Sequence, residues 1–209
     1  MAKERAVREP RQKRSMEKKE KILEAAYRLF CEKGYYKTST PEIAAEAQVS
    51  IGCLYSYFTD KHMIFLALYD RYKENFDRIR DEFGQKLSDS SDPRQWLQWF
   101  MEMLIRIHRE SVDFIREIDL LRVSDPELAE RSHRQREKVR KFAYDSLLHS
   151  PCRPDVPDPE AASYVIMDFI NALVDRIALD DHPFDGERIL QEGLTALTRY
   201  LMPQTSESK

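Results

Sequence analysis

The sequence predicts an all-α protein of about nine helices, and three observations lead to this fold class. Nearly every segment repeats its apolar residues with helical spacing, while the alternation typical of strands is scarce. Only 5 glycines occur among the 209 residues. Proline-containing breakers separate the periodic segments, at Asp125-Pro126, at residues 151–159 and at His182-Pro183.

The composition favours a protein of the reducing cytoplasm. The three cysteines, Cys31, Cys53 and Cys152, are too few and too scattered for a disulfide framework. No apolar run approaches the roughly 18 residues of a membrane span, and the basic N-terminus lacks the apolar segment of a signal peptide. The net charge of −3 conceals an asymmetry, because residues 1–61 carry 13 Lys and Arg against 9 Asp and Glu. A basic amino end suggests a polyanionic partner, although a solvated charged face explains it equally well.

The first helices have recognisable ends. Residues 17–33 carry apolar side chains at helical spacing, and Gly34 is expected to end this helix. A second helix begins near residue 40, either with Ser39 and Glu42 as a capping box or with Thr40 as the cap and Pro41 at the first helical position. The sequence is compatible with both starts. Ser50 can cap a short third helix.

Residues 39–61 contain two short helices, at about 41–47 and 50–57, separated by only a few residues. Their inward positions are small or apolar: Ile43, Ala44, Ala47, Val49, Leu54 and Phe58. The two alanines let the helices approach closely at a steep angle, which is the helix-turn-helix arrangement. The outward positions of the third helix include no acidic residue: Ser50, Ile51, Gly52, Cys53, Tyr55 and Ser56. Gly52 weakens a helix by about 1 kcal/mol relative to alanine, which suggests that a phosphate or base edge approaches it.

Thr59 or Asp60 is expected to cap a long fourth helix that runs to about residue 83. A turn follows at 88–93. Five further helices are predicted at about 93–109, 111–123, 126–149, 159–180 and 186–202.

The pattern Ile43-Ala44, Ala47, Val49-Ser50, Gly52, Leu54-Tyr55, Tyr57-Phe58 and Lys61 resembles the signature of TetR/AcrR-type transcriptional regulators. The similarity extends from Ile22 through Lys61, and beyond it only the number and lengths of the helices agree. It implies four segments: a flexible basic arm (1–15), a helix-turn-helix DNA-binding domain (16–61), a ligand-binding and dimerisation domain (62–203) and a polar tail (204–209).

The resemblance assigns roles to single positions. It places contacts to base edges at the start of the third helix, on Ser50, Ile51, Gly52 and Cys53. It places contacts to the DNA backbone on Thr40, Tyr55, Tyr57 and Lys61, and in some relatives the residue at the Tyr55 position also reaches a base. These residue types suit the roles, because hydroxyls and a lysine position the duplex while third-helix side chains read it.

Ile51 departs from several relatives, which carry a long polar side chain there. It can pack on a thymine methyl but cannot hydrogen-bond a base, so specificity would depend on apolar contact, Cys53 and DNA shape. Alternatively, Ile51 packs on the neighbouring protein surface, and Cys53 is either a neutral contact or an oxidation sensor.

The arm from Lys3 to Lys21 holds 9 basic residues against 4 acidic ones. It either follows the DNA or is a solubilising tail.

The carboxy-terminal part is expected to hold an effector pocket and a dimer interface. Aromatic, methionine and polar side chains are candidates to line the pocket: Trp99, Met103, His108, Phe114, Ile118, Met167 and Asn171. The helix at 159–180 is apolar nearly all round, so it is expected to pair with the last helix across a twofold axis through Ile166, Ile170, Val174, Leu194, Leu197 and Leu201. An ordinary core is the alternative for each pocket residue, and burial within the monomer is the alternative for the helix at 159–180.

We therefore expect a regulator, most simply a repressor, that binds a palindromic DNA operator as a homodimer and is released by a small-molecule effector. No glycine-rich phosphate loop, nucleophile elbow or clustered zinc pattern occurs, so neither an enzyme nor a cofactor is expected. His149-Ser-Pro-Cys152 and Asp180-Asp181-His182 are more typical of helix ends than of metal sites. Two alternatives are an architectural DNA binder without a ligand and a helical enzyme or interaction module without DNA affinity.

Overall fold

The computed structural model describes residues 9–89, 92–149, 156–180 and 185–202. Within these ranges all regular secondary structure is helical, which confirms the predicted fold class. The helices are α1 (Glu9–Lys33), α2 (Thr40–Glu46), α3 (Ile51–Tyr55), α4 (Lys61–Asp89), α5 (Pro93–Glu110), α6 (Val112–Arg122), α7 (Pro126–His149), α8 (Pro159–Ala178) and α9 (Gly186–Leu201). None of these helices is long and apolar enough to cross a membrane.

Two helices are longer than predicted. α1 begins at Glu9, so the expectation of a flexible arm over 1–15 is wrong for residues 9–15. Pro10 lies in the first turn, where proline is tolerated, and good helix formers follow it. α4 continues through Gly84 to Asp89, so the turn predicted at 88–93 begins later. Residues 1–8 and the predicted tail at 204–209 lie outside the described residues.

The first of two compact units consists of the chain up to Tyr72 together with Asp113–Leu121. Its core is built on aromatic rings from three helices. The Phe65 ring of α4 lies 5.6 Å from Phe30 of α1 and 5.3 Å from Phe114 of α6, measured between ring centroids. This unit therefore extends past the domain predicted at 16–61, because α4 and α6 contribute to the same core.

The second unit consists of Lys73–Val112 and the chain from Arg122 onward. Here α8 packs on α5, α7 and α9. Helices α8 and α9 approach closely at Gly193, where an added Cβ atom would clash with a methyl group of Leu173. A separate group of rings surrounds Phe83, whose centroid lies 4.9 Å from Trp96 and 4.6 Å from Phe100.

The predicted dimer residues are buried within the single chain, so the assignment of these six side chains to a dimer interface is wrong. The pairing of the last two helices across a twofold axis stays a prediction. All six side chains are at most 7% exposed: Ile166, Ile170, Val174, Leu194, Leu197 and Leu201. They form the inner faces of α8 and α9, because the two helices pack on each other and on α5. The large apolar side chains that α8 exposes lie on another side, at Tyr164 and Val165.

Candidate nucleic-acid interface

Ser39, not Thr40, caps the second helix. The Glu42 carboxylate accepts hydrogen bonds from the Ser39 backbone N–H and from its hydroxyl, both at 2.8 Å. The Lys33 ammonium donates to the other carboxylate oxygen of Glu42 at 2.7 Å. These bonds, that of Lys33 foremost, lower the pKa of Glu42 from 4.5 to about 2. The structure thus selects the capping-box alternative and places Thr40 in the first turn.

A tight turn joins α2 to α3. Gln48 adopts a positive φ of 55°, and the Val49 N–H donates to the Ala44 carbonyl at 3.0 Å. The Ser50 hydroxyl then accepts from the Cys53 N–H at 3.1 Å, which confirms Ser50 as the cap of α3. α3 ends at Tyr55, so it is shorter than the predicted 50–57.

The inward positions of this pair of helices pack as predicted. Ile43 and Leu54 are fully buried, and Ala44, Ala47 and Phe58 are nearly so. Val49 is only half-buried. The small side chains of α2 allow α3 to pack closely across it.

The outward face of α3 is open to solvent. Ile51 is 41% and Tyr55 is 50% exposed, so Ile51 is not buried against the chain's own surface. Apart from its chain neighbours and the backbone of its own helix, no atom of the described residues lies within 4 Å of a Cβ atom added at Gly52, and Cys53 is half-buried. The predicted base-contacting positions are therefore exposed or half-buried at the start of α3, and none of them carries an acidic side chain.

Hydroxyl pairs connect the predicted DNA-backbone contacts to neighbouring helices. The Thr40 and Tyr55 side-chain oxygens lie 3.0 Å apart, which ties α2 to α3. The Tyr57 hydroxyl lies 3.0 Å from that of Ser15 on α1. The structure thus brings Thr40 and Tyr55 together, a contact that their separation in sequence did not reveal.

Carboxylates of α2 are paired with cations of α1. Glu46 accepts from Arg28 at 2.9 Å, and Glu42 is paired with Lys33 as described above. This pairing reduces the negative potential that a polyanion would meet beside α3.

Lys61 has a role within the fold that the sequence analysis missed. Its ammonium donates to the carbonyls of Tyr35 at 2.7 Å and Thr38 at 2.8 Å, and it lies 4.2 Å from the centre of the Tyr35 ring. Partial burial lowers its pKa, and the negative charge of Glu42 opposes that shift. A contact from Lys61 to a DNA phosphate stays a prediction.

The structure separates the predicted pocket residues into different environments. Asn171 is exposed, so its assignment to an internal pocket is wrong. Phe114 and Ile118 are buried in the core of the first unit, where Phe114 contacts the Tyr27 and Tyr72 rings. Three more are half-buried in the second unit: Trp99, Met103 and Met167.

His108, the remaining pocket candidate, contacts other residues of the second unit. Its Nδ1 lies 2.8 Å from the Leu104 carbonyl and its Nε2 lies 3.7 Å from a carboxylate oxygen of Asp175. The second unit also contains an open cleft of about 600 Å³ between α5, α8 and the start of α9, lined by residues that include Ile105, Arg106, Arg109, Ile177 and Leu190. None of the predicted pocket residues lines this cleft.

In the described ranges, no group of three or more His, Cys, Asp or Glu side chains is arranged around a common point. The two runs considered earlier, at 149–152 and 180–182, fall partly outside those ranges.

Two family models match the chain. Residues 22–68 match the model described as bacterial regulatory proteins, tetR family. Residues 92–201 match the model described as the tetracyclin repressor-like C-terminal domain. Together the two models cover both the helix-turn-helix and most of the helices that follow it.

Relatives with similar sequences carry regulator names. HbdR of Aromatoleum sp. (strain CIB) is 44% identical over 78 residues, which are 37% of this chain and 32% of that protein. YuxN of Bacillus subtilis, an uncharacterised regulator, is 32% identical over 138 residues, which are 64% of this chain and 46% of that protein. The matched part of the chain thus spans less than half the length of either relative.

Solved structures show the same fold. A putative TetR-family regulator from Mesorhizobium loti aligns with a TM-score of 0.71 at 22% identity and covers 90% of this chain and 96% of that one. NalD of Pseudomonas aeruginosa, a repressor of the MexAB-OprM multidrug efflux pump, aligns with a TM-score of 0.67 at 22% identity over 92% and 99% of the two chains. The chain belongs to the TetR family of bacterial regulatory proteins.

Proposed function

We propose that this regulator is a repressor that binds a palindromic operator as a homodimer and releases it when a small-molecule effector binds. One observation carries the proposal: the exposed face of α3 has no acidic side chain, and the carboxylates of α2 beside it are paired with cations of α1. Such a face can enter the major groove of DNA without electrostatic repulsion.

The proposed contacts divide into two classes. Ser50, Ile51, Gly52 and Cys53 contact base edges, where Ile51 supplies an apolar contact to a thymine methyl. The hydroxyl pair of Thr40 and Tyr55 contacts the DNA backbone, as do Tyr57 and Lys61. The pairing of Thr40 with Tyr55 supports this division, because it holds two phosphate-binding hydroxyls in one place.

The proposed dimer uses the outer faces of α8 and α9, since their inner faces are occupied by the core of the single chain. Val165 is 60% exposed on α8, and Ala161 and Ala172 are exposed on the same side of that helix. A twofold axis at this surface would relate two copies of α3. Binding to successive turns of the major groove requires those copies to lie about 34–36 Å apart.

Repression and effector release rest on similarity and on general physical grounds. NalD, which shares the fold, is named a repressor, whereas the relative FasR is named an activator. An effector can release DNA only by binding more tightly to the conformation in which the two recognition helices are wrongly spaced. We place its site in the carboxy-terminal part, residues 92–201, which matches the tetracyclin repressor-like model.

Selection of duplexes from random DNA, followed by footprinting of the enriched sequence, tests this function. We expect a protected inverted repeat whose half-site centres are about 10 base pairs, or a multiple, apart. Ile51→Asp should abolish protection, because it puts an anion in the groove. The control is Val123→Asp, which makes the same kind of change at a valine that is 89% exposed outside the helix-turn-helix. Uniform protection would indicate an architectural DNA binder, and absent protection would exclude DNA binding.

A thermal-shift screen of small molecules tests the effector part separately. An effector is expected to raise the melting temperature of the free protein and to weaken its binding to the selected duplex. A compound that stabilises the protein and leaves its affinity for the duplex unchanged would not be the proposed effector.

A further inference from the structure

Residues 34–39 join α1 to α2, and we call this segment the α1–α2 turn. Several hydrogen bonds hold it in place. Gly34 has a φ of +86° and its N–H donates to the Phe30 carbonyl at 3.0 Å. The buried Thr38 hydroxyl donates back to the Gly34 carbonyl at 2.9 Å. Ser39, the last residue of the turn, is the cap of α2. Any movement of the turn therefore moves the start of α2.

A carboxylate from a distant part of the sequence binds this turn. Glu117 of α6 accepts a hydrogen bond from the Tyr35 N–H at 2.7 Å, across 82 positions of sequence. A Cβ atom at Gly34 would lie 3.3 Å from the other Glu117 oxygen, so glycine leaves room for the carboxylate. A backbone N–H that follows a left-handed residue is well oriented to bind an anion.

The carbonyl of the same residue is bound from another helix. Lys61, the first residue of α4, donates to the Tyr35 carbonyl and to that of Thr38. The Tyr35 ring packs against Phe30 and Phe65, with centroids 5.5 and 5.3 Å away. Tyr35 is therefore fixed at its N–H by α6, at its carbonyl by α4 and at its ring by the core.

The helix that carries Glu117 begins and ends at residues of the second unit. Helix α6 lies within the span that matches the tetracyclin repressor-like C-terminal model, and the residues at both of its ends, Val112 and Arg122, belong to the second unit. We propose that Glu117 is the positioning residue that sets the placement of the α1–α2 turn and hence of α2 and α3, so that loss of its bond to the Tyr35 N–H weakens DNA binding. The inference rests on the function proposed above.

The test compares three variants of the full chain. Glu117→Ala removes the acceptor, Glu117→Gln keeps an acceptor oxygen at the same place, and Asp113→Asn is the control. Asp113 is an exposed acid on the same helix and is paired with Arg116. Amide hydrogen exchange is measured residue by residue by NMR, and affinity is measured with the duplex recovered by selection on the wild type.

In Glu117→Ala we expect the Tyr35 amide to exchange at least about tenfold faster, a change of about 1.4 kcal/mol. The faster exchange should be confined to the α1–α2 turn and the start of α2, with core amides such as those of Ile22 and Phe65 unchanged. Affinity for the duplex should fall about tenfold. Glu117→Gln should restore both quantities to within about threefold of the wild type, and Asp113→Asn should match the wild type.

Two results would overturn the inference: exchange and affinity of Glu117→Ala that match those of Asp113→Asn, or faster exchange that is spread evenly over the core. If Glu117→Ala does not fold, Glu117→Met takes its place, because methionine fills similar space without accepting this bond. A wild type that selects no duplex would refute the proposed function instead. In that case local exchange at Tyr35 alone decides whether Glu117 positions the turn.

Discussion

The side-chain hydroxyls of Thr40 and Tyr55 lie 3.0 Å apart and join the first residue of α2 to the last residue of α3. Tyr55 is exposed and Thr40 half-buried, so both oxygens remain accessible to a phosphate. The pair bridges the two helices at the surface that faces DNA in the proposed function.

Tyr55→Phe is predicted to weaken affinity for the selected duplex about three- to tenfold, because one net hydrogen bond contributes about 0.5–1.5 kcal/mol. Thr40→Val should have a similar effect, and the double variant should lose less than the sum of the two, since the hydroxyls act as a pair. Fluorescence anisotropy measures the affinities. Strict additivity would show that Thr40 and Tyr55 act independently.

Gly52→Ala is predicted to stabilise the protein and to weaken DNA binding at the same time. The added Cβ meets nothing within 4 Å, and alanine favours a helix over glycine by about 1 kcal/mol. The duplex, however, would lose its close approach to α3. Thermal melting and anisotropy measure the two effects. The control is Gly84→Ala, where the new methyl lies 3.6 Å from the Phe142 ring; equal affinities for the two variants would refute close approach at Gly52.

Glu42 is predicted to make stability depend on pH in the acid range. Its pKa in the folded protein is about 2, below the ordinary 4.5. A carboxylate with a lowered pKa stabilises the fold above its unfolded pKa, and this contribution is lost as pH falls through the folded value. Glu42→Gln should therefore be less stable than the wild type at pH 7, and the difference should shrink between pH 4.5 and pH 2.

Urea unfolding of the wild type and Glu42→Gln across that range checks the prediction. Glu46→Gln is the control, because Glu46 lies on the same helix and its ion pair with Arg28 is exposed. A difference between Glu42→Gln and the wild type that stays constant at every pH would show that the lowered pKa has no effect on folding.

Val165→Glu is predicted to produce a folded monomer, because a charge on the outer face of α8 would be desolvated in the proposed dimer. Ile170→Glu should instead unfold the chain, since that side chain is only 2% exposed within the single chain. Light scattering gives the mass and thermal melting gives the stability. A dimeric Val165→Glu protein would place the interface on another surface.

Local sequence patterns predicted the helix-turn-helix well. The Ser50 cap, the buried Ile43 and Leu54, and the exposed Ile51 all follow from spacing along a single helix or turn. The predicted starts of two helices at prolines, Pro126 and Pro159, were also accurate. Local rules suffice at these positions because the signals lie within a few residues of each other.

Contacts between distant helices could not be predicted in this way. The apolar pattern of Ile170 shows that one side of α8 is buried, but it does not show whether α9 of the same chain or a second chain covers it. Glu117 was missed because its partner, the Tyr35 N–H, is a backbone group that carries no sequence signal. Phe114 was assigned to a pocket because an aromatic residue in a cavity and one in a core look alike in sequence.

Alkylation of Cys53 in the presence and absence of the selected duplex tests the central claim, that α3 enters the DNA groove, most directly. Burial raises the pKa of the Cys31 thiol to about 11, so this thiol should react slowly. Peptide mass spectrometry distinguishes modification of Cys53 from that of Cys31. A Glu110→Cys variant provides an exposed thiol outside the helix-turn-helix as the control. We predict that the duplex slows modification of Cys53 at least about tenfold and leaves position 110 unaffected. Equal rates at Cys53 with and without bound duplex would contradict the placement of α3 in the groove.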